Sequence, residues 1–158
     1  MGKTSVAAEI HEQLSVAGVR HCLIEGDNLD QAYPAPWEHK LAERNLAAMW
    51  GNYRRLGYRR LVYTNTASVR VIDELSAAMG DDPRVTAVLL TAGDTTAAER
   101  LARREIGTAL RRHVERSALA ARELDEVVAD WVHRVPTDGR TVTEIAAEVI
   151  GLAGWPAP

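Results

Sequence analysis

Four consecutive residues near the start of the chain carry groups that bind phosphate. Gly2, Lys3, Thr4 and Ser5 match the end of the pattern G-x-x-x-x-G-K-[ST], whose backbone amides surround phosphate oxygens. In that pattern the lysine neutralises the β- and γ-phosphates and the hydroxyl binds magnesium. We therefore predict phosphate contacts from Gly2, Lys3 and Ser5, and a magnesium contact from Thr4. The same residues also fit an ordinary helix start with a surface lysine and a threonine cap.

A second polar stretch, EGDNLD, follows an apolar run and contains Asp27 and Asn28. The end of a buried strand is where ligands bind in open α/β sheets. Asp27 is therefore predicted to orient the hydroxyl of a phosphoryl acceptor and to take its proton. Asn28 and the later Arg70 are further candidates for substrate contacts. The alternative for this stretch is a polar turn closed by an Asx hydrogen bond.

Three arginines are spaced so that they share one side of a helix. Arg100, Arg103 and Arg104 stand at positions i, i+3 and i+4. Guanidinium groups form bidentate hydrogen bonds to phosphate and keep their charge. A lid around residues 96–116 that closes over phosphate is one interpretation. A solvated, charged helix face is the other.

The elements that must position these residues alternate between helix and strand. Apolar residues recur at helical spacing in some segments, and short apolar runs ending in glycine or polar residues separate them. The pattern predicts helices over 4–17, about 38–56 and 69–79. Two more helices are predicted to begin at the capping boxes of Thr96 with Glu99 and of Thr141 with Glu144. Strands are predicted within 19–27, 59–68, 84–94 and 132–136. Such alternation favours a mainly parallel sheet with helices on both faces, in one domain spanning 1–158.

Taken together, these motifs resemble the P-loop kinases of small molecules and nucleotides, which include adenylylsulfate kinase, gluconate kinase and chloramphenicol phosphotransferase. The resemblance rests on the Gly-Lys-Thr-Ser run, EGDNLD, RLARREIG and TDGRTVTEIA, and it spans nearly the whole chain. It implies a P-loop NTPase three-layer α/β sandwich that uses ATP and Mg²⁺. It also implies that Asp27 contacts the acceptor or supports magnesium, that Arg100 and Arg104 stabilise the charge of transfer, and that Arg103 contacts the nucleotide.

The resemblance further implies that one central strand is missing. In these kinases a strand and the first half of the phosphate loop precede the Gly-Lys-Thr run, which here begins at Gly2. Because the absent strand would lie between two others, we expect unpaired ladder groups beside its position. We also expect weaker binding of ATP than in a longer form.

Composition restricts the classes of partner. The formal net charge of -3 gives no global reason to expect a nucleic-acid polymer or an anionic membrane surface. No apolar run approaches the roughly 20 residues that span a bilayer. The single cysteine, Cys22, excludes an internal disulfide, and its apolar surroundings predict a buried, inert thiol. The expected location is the cytoplasm.

Three functions remain open from the sequence. The first is an ATP-dependent kinase acting on a small metabolite or nucleotide. The second is a degenerate or truncated P-loop protein that binds nucleotide without catalysis. The third is a P-loop ATPase or GTPase switch, which is disfavoured because the strand in RLVYTN lacks the terminal aspartate that many such proteins use to hold magnesium. Acceptor-dependent formation of ADP distinguishes the first from the others.

Overall fold

Helices and strands alternate along the part of the chain that the computed structural model describes, which is residues 2–93, 124 and 128–156. The helices there are α1 (Lys3–Val16), α2 (Leu41–Arg55), α3 (Ile72–Met79) and α4 (Val142–Leu152). The strands are β1 (Cys22–Glu25), β2 (Leu61–Thr64), β3 (Val88–Thr91) and β4 (His133–Pro136). Short 3₁₀ turns cover Gly26–Asn28, Trp37–His39 and Ser68–Arg70.

The described strands form two parallel pairs. Strand β1 pairs with β2 in the register Cys22 to Leu61, and β3 pairs with β4 in the register Val88 to His133. Parallel pairing agrees with the expectation from the alternating pattern. The described strands do not form one continuous sheet, because no ladder joins β2 to β3. The fold is thus a mixed α/β fold with small parallel sheets, which is compatible with an α/β nucleotide-binding fold.

Helix α1 buries one side because its apolar residues recur every four positions. Val6, Ile10 and Leu14 pack with the buried side of α4 and with Val135 of β4. Leu14 is fully buried, which contributes about 2 kcal/mol relative to an exposed leucine. This packing fixes the start of α1 relative to the strands.

The alternate side chains of β2 contact different groups of helices. Val62 packs against the cluster formed by α1 and α4. Leu61 and Tyr63 pack against a second cluster, which contains Ile24, Leu46 and apolar residues of α2 and α3. Successive side chains of a strand point to opposite faces, so helices cover both faces of β2. Helices therefore pack on both faces of the strand that leads into the polar loop at residues 65–67.

Three helices end in the same glycine motif. Gly18 has a left-handed φ of 66°, its N–H donates to the Ser15 carbonyl, and the N–H of Val19 donates to that of Leu14. Gly57 after α2 and Gly154 after α4 show the same pair of hydrogen bonds. This Schellman arrangement needs a left-handed residue, which glycine supplies without a Cβ clash. The predicted stops at Gly18 and Gly57 are confirmed.

The third helix begins later than the sequence predicts. Ser68–Arg70 forms a 3₁₀ turn, and α3 starts at Ile72. The predicted helix face of Val69, Ile72 and Leu75 is therefore wrong, since Val69 lies before the helix. A local hydrogen bond from the Ala67 N–H to Asn65 Oδ1 stabilises the preceding turn, and such bonds compete with helical ones. The predicted strand over 84–94 is likewise shorter, at Val88–Thr91.

Several predictions concern residues outside the described part of the chain. These are the lid around 96–116, the capping box of Thr96 with Glu99, and the three arginines Arg100, Arg103 and Arg104. Within the described part, none of the helices is long and apolar enough to cross a membrane.

Cys22 occupies the first position of β1 and is buried, as predicted. Its side chain is 4 % exposed, and Sγ lies 3.5 Å from the Arg60 carbonyl oxygen. Burial raises the pKa of the Cys22 thiol to about 11. The reactive thiolate is therefore scarce at neutral pH, which supports an inert role.

Replacing Thr141 with alanine should destabilise the protein by about 1 kcal/mol, because Thr141 is half of a capping box. Thr141 Oγ1 accepts from the Glu144 N–H, and Glu144 Oε2 accepts from the Thr141 N–H at 2.8 Å. Urea unfolding at pH 7 measures the change. Thr143→Ala, an exposed neighbour within the helix, is the control.

The same capping box predicts a pH dependence. Hydrogen bonds that Thr141 donates to the Glu144 carboxylate lower the pKa of Glu144 in the folded state. The bond from the backbone N–H has the largest effect, followed by the bond from the hydroxyl. The stability that these bonds contribute is therefore present above the ordinary glutamate pKa and is lost as the pH falls through the lowered one. Thr141→Ala keeps the backbone N–H but removes the hydroxyl that donates to Glu144 Oε2, so part of its loss should disappear in that acidic range; an effect independent of pH would contradict the contribution of that hydroxyl bond.

Candidate active site

The first turn of α1 contains backbone amides that have no partner among the described residues. Gly2 caps the helix with a left-handed φ of 95°, and the first helical hydrogen bond runs from the Val6 N–H to the Gly2 carbonyl. Within the described residues, the N–H groups of Lys3, Thr4 and Ser5 have no acceptor, and no acidic side chain occupies the turn. A helix start of this kind favours an anion, since free amides and the macrodipole both attract negative charge.

A side-chain contact joins the start of α1 to the end of β1. Thr4 Oγ1 lies 3.3 Å from Glu25 Oε1, and Glu25 is the last residue of β1. Helix α1 therefore runs antiparallel to β1, with its amino end at the carboxyl end of the strand. Asp27 follows two residues later in the Gly26–Asn28 turn. The predicted phosphate-binding and acceptor-binding segments thus lie at the carboxyl end of the β1–β2 pair.

Asp27 is oriented by two hydrogen bonds from Thr66 in the loop after β2. The Thr66 N–H donates to Asp27 Oδ1 at 3.0 Å, and Thr66 Oγ1 donates to Oδ2 at 3.0 Å. Asp27 is exposed, so each carboxylate oxygen keeps a lone pair toward solvent. The arrangement fixes the carboxylate while leaving it able to accept a proton from a bound hydroxyl.

The second strand pair has a comparable contact. Asp138, two residues after β4, accepts a hydrogen bond at Oδ2 from the N–H of Gly93, two residues after β3, at 2.9 Å. In each pair an aspartate that follows one strand binds the backbone of the loop that follows its neighbour. These contacts hold the loops together at the carboxyl ends, where a ligand between them would bind.

Tyr63 lies against the turn that carries Asp27. Burial, followed by the carboxylates of Asp27, Asp30 and Glu43, raises the pKa of Tyr63 to about 12. The phenol therefore stays protonated at neutral pH and can donate a hydrogen bond. A Cβ atom at Gly26 would lie 2.2 Å from the Tyr63 hydroxyl, so only glycine permits this approach.

Gly26→Ala should destabilise the protein and move the Asp27 turn, because the added methyl group would overlap the Tyr63 ring. The expected loss is about 1 to 3 kcal/mol, typical of overpacking at a buried position. Urea unfolding measures the loss, and a double-mutant cycle with Tyr63→Ala assigns it to this contact. Strict additivity of the two substitutions would contradict the steric explanation.

The structure brings together some of the predicted site residues. Lys3, Thr4 and Ser5 lie at the start of α1, Thr4 contacts Glu25 at the end of β1, and Asp27 follows in the next turn. Asn28 is exposed in the same turn as Asp27, and Arg70 ends the 3₁₀ turn after β2. Neither side chain hydrogen-bonds to another described residue, so their predicted substrate contacts stay predictions.

Sequence reasoning missed three residues that contact this site. Glu25 belongs to the EGDNLD motif, but only its contact with Thr4 singles it out. Thr66 belongs to a polar turn whose spacing indicates nothing about Asp27, which lies 39 residues earlier. Nothing in the sequence distinguishes Tyr63 from any other tyrosine in a strand. A signal existed only for Glu25, as the last charged residue of a buried strand.

Within residues 2–93, 124 and 128–156, no group of three or more histidine, cysteine or acidic side chains is placed to hold a metal ion. The Thr4 hydroxyl and the Glu25 carboxylate are nevertheless oxygen ligands of the kind that Mg²⁺ prefers. Magnesium commonly takes one or two protein ligands and obtains the rest from phosphates and water. The residues present therefore fit magnesium bound together with a phosphorylated substrate.

Comparisons with known proteins find similarity among solved structures. No protein-family model matches the chain, and no curated protein is similar to it in sequence. Among solved structures, the tunicamycin resistance protein of Deinococcus radiodurans matches with a TM-score of 0.68. The match covers 99 % of this chain and 92 % of that one, at 20 % sequence identity. At this identity the similarity concerns the fold, which is an α/β fold shared along nearly the whole length of both chains.

Proposed function

We propose that the protein is an ATP-dependent phosphotransferase that acts on a small metabolite or nucleotide. The contact of Thr4 with Glu25 carries this proposal, because it joins the first turn of α1, whose amides have no acceptor among the described residues, to the strand that leads into the Asp27 turn. Such a reaction needs a site that binds the phosphates, here the start of α1. It also needs a group that orients the acceptor hydroxyl, here the carboxylate of Asp27. The α/β fold is compatible with this function.

The phosphates of ATP would bind at the start of α1. The N–H groups of Lys3, Thr4 and Ser5 provide hydrogen-bond donors, and the Lys3 ammonium provides charge. These groups stabilise the negative charge of the transferred phosphoryl group, which is the largest contribution in reactions of this kind. Magnesium, held by Thr4 and Glu25 together with the phosphates, would neutralise further charge.

Asp27 would act on the acceptor. The acceptor hydroxyl oxygen forms a bond to the γ-phosphorus, the bond from that phosphorus to the β–γ bridging oxygen breaks, and ADP leaves. The proton of the hydroxyl passes to Asp27, whose orientation Thr66 fixes by two hydrogen bonds. This distribution of roles assigns activation of the acceptor to Asp27, and both nucleotide binding and stabilisation of the transferred charge to the start of α1.

The experiment is a coupled assay of ADP formation by the full chain with Mg-ATP and a panel of acceptors. The panel contains nucleoside monophosphates, adenylylsulfate, gluconate, chloramphenicol and tunicamycin, the last because the matching solved structure is that of a tunicamycin resistance protein. We expect ADP formation to depend on one class of acceptor. Turnover that no acceptor stimulates would support an ATPase instead, and binding of ATP without turnover would support a nucleotide-binding protein.

A further inference from the structure

Thr66 places a hydroxyl group directly on the carboxylate that the proposed reaction uses as its base. Thr66 Oγ1 donates to Asp27 Oδ2 at 3.0 Å, and the Thr66 N–H donates to Asp27 Oδ1 at 3.0 Å. A general base must lie within hydrogen-bond reach, about 2.6 to 3.2 Å, of the group whose proton it takes. A side chain of the protein itself therefore meets the distance that Asp27 requires of an acceptor hydroxyl.

The position of this hydroxyl is not shared by the other hydroxyl groups nearby. Among the described residues, Thr66 is the only hydrogen-bond donor to Asp27. The hydroxyl of Thr4 donates to Glu25 instead, and Thr64 is buried, at 7 % exposed. Thr66 is thus the described hydroxyl from which Asp27 can take a proton directly.

Thr66 also lies at the phosphate-binding end of the fold and is exposed. Strand β2 ends at Thr64, which pairs in register with Glu25, and Glu25 contacts Thr4 in the first turn of α1. The two further residues from Thr64 to Thr66 span at most about 7 Å. The loop of Thr66 therefore lies at the same end of the β1–β2 pair as the start of α1, where we propose that ATP binds.

The conformation of this loop is fixed on the far side of Thr66. The Ala67 N–H donates to Asn65 Oδ1 at 2.7 Å, and the Arg70 N–H donates to the Ala67 carbonyl at 2.9 Å. Two groups held in a reactive geometry react faster than two groups that must first find each other. The hydrogen bonds of the loop and of Asp27 thus orient the Thr66 hydroxyl before any nucleotide binds.

Arg70 provides a positive charge four residues after Thr66. It ends the 3₁₀ turn Ser68–Arg70 and is exposed, and its side chain makes no hydrogen bond or ion pair with the residues that the structure describes. A guanidinium group binds phosphate with two parallel hydrogen bonds. Arg70 would therefore stabilise a phosphate group attached in this loop.

We propose that Thr66 accepts the γ-phosphoryl group of ATP when no acceptor occupies the site, so that the protein phosphorylates itself. This inference rests on the proposed function, because the start of α1 and Asp27 have the same roles in both reactions. Thr66 Oγ1 forms a bond to the γ-phosphorus, the bond from that phosphorus to the β–γ bridging oxygen breaks, and ADP leaves. The hydroxyl proton passes to Asp27 Oδ2.

The phosphorylated protein transfers phosphate to other acceptors more slowly. Phosphothreonine carries a charge of roughly −1.5 to −2 at pH 7 and disrupts its surroundings when it lies next to a carboxylate. Its ester oxygen has no proton to donate, so Asp27 loses the hydrogen bond from Oγ1 and is repelled as well. Turnover of the acceptor found in the panel should therefore fall by at least about tenfold.

The test treats the full chain with a phosphatase and then incubates it with Mg-ATP and no acceptor. Intact mass spectrometry should show the addition of one phosphoryl group, and fragmentation should place that group on Thr66. The rate should not depend on protein concentration, because both reacting groups are bound to one molecule. The acceptor found in the panel should compete and slow the modification.

Four variants separate the hydroxyl of Thr66 from its surroundings. Thr66→Ser keeps a hydroxyl and should still be phosphorylated, whereas Thr66→Val keeps the shape and the backbone N–H and should not be. Asp27→Asn should lower the rate of modification by about a hundredfold or more. Thr143→Val removes an exposed hydroxyl of α4 and is the matched control, in which Thr66 should be modified as in the unaltered chain.

The outcomes distinguish this inference from the proposed function. Acceptor-dependent formation of ADP without modification of Thr66 would overturn the inference and leave the proposed function intact. Phosphorylation of another residue, unchanged in Thr66→Val, would also overturn it, as would a rate proportional to protein concentration. Absence of both ADP formation and phosphorylation would contradict the proposed function itself. Mapping the modified residue of the unaltered chain decides the result even if a variant fails to fold.

Discussion

Lys3→Met is expected to lower the rate of phosphoryl transfer by at least about a hundredfold, in the range found when one stabiliser of transition-state charge is removed. Lys3 is the first residue of α1, directly after the cap residue Gly2, and its amide and those of Thr4 and Ser5 have no acceptor among the described residues. Its ammonium is therefore placed to neutralise phosphate charge as it develops. Methionine keeps the apolar stem, which lines a cavity between β2 and β3, and removes only the charge.

The fold should survive this substitution, because the lost charge makes no ion pair in the described structure. Circular dichroism and the melting temperature check this point. Lys40→Met is the matched control, since Lys40 is the other lysine of the chain and is exposed at the start of α2. Unchanged turnover in Lys3→Met would contradict the proposed function, whereas equal losses in both variants would indicate a general effect of charge.

Asp27→Asn is expected to lower the rate by about a hundredfold or more and to change the affinity for ATP little. Asparagine has the same shape and still accepts from the Thr66 N–H, so the turn should keep its conformation. It does not take a proton from the acceptor. Steady-state kinetics with the acceptor found in the panel, together with calorimetry of ATP, separate rate from affinity.

Asp82→Asn provides the control for this second substitution. Asp82 is exposed in the turn between α3 and β3 and has a positive φ of 49°, a conformation that asparagine also tolerates. It makes no contact with the site. A selective loss of ATP binding in Asp27→Asn, with the rate at saturation unchanged, would place Asp27 in the nucleotide site and contradict the assignment of roles.

Local sequence patterns predicted the elements well where one periodicity dominates. The four-residue spacing of Val6, Ile10 and Leu14 gave helix α1, and the capping box at Thr141 gave the start of α4. These features depend on contacts within one or two turns, so the sequence contains them directly. The start of α3 was wrong because a side-chain hydrogen bond in the preceding turn competed with helix formation.

The site required information that spans the fold. The contact of Thr4 with Glu25 joins residues 21 positions apart, and that of Asp27 with Thr66 joins residues 39 apart. Parallel strands bring the loops that follow them to the same end of the sheet. The alternation of helices and strands in the sequence does not specify which polar residues of those loops meet. The unpaired inner edges of β2 and β3 were expected only through the family resemblance, and in the described strands β2 pairs only with β1 and β3 only with β4.

The most direct test of the central claim follows backbone amide resonances while Mg-ATP is added to the isotopically labelled protein. If phosphates bind at the start of α1, the largest chemical-shift changes will be at Lys3, Thr4 and Ser5, whose amides have no described partner. Adenosine, which lacks phosphates, should leave these resonances unchanged. Saturable binding of Mg-ATP whose largest changes lie elsewhere, with the amides of Lys3, Thr4 and Ser5 unmoved, would contradict the account.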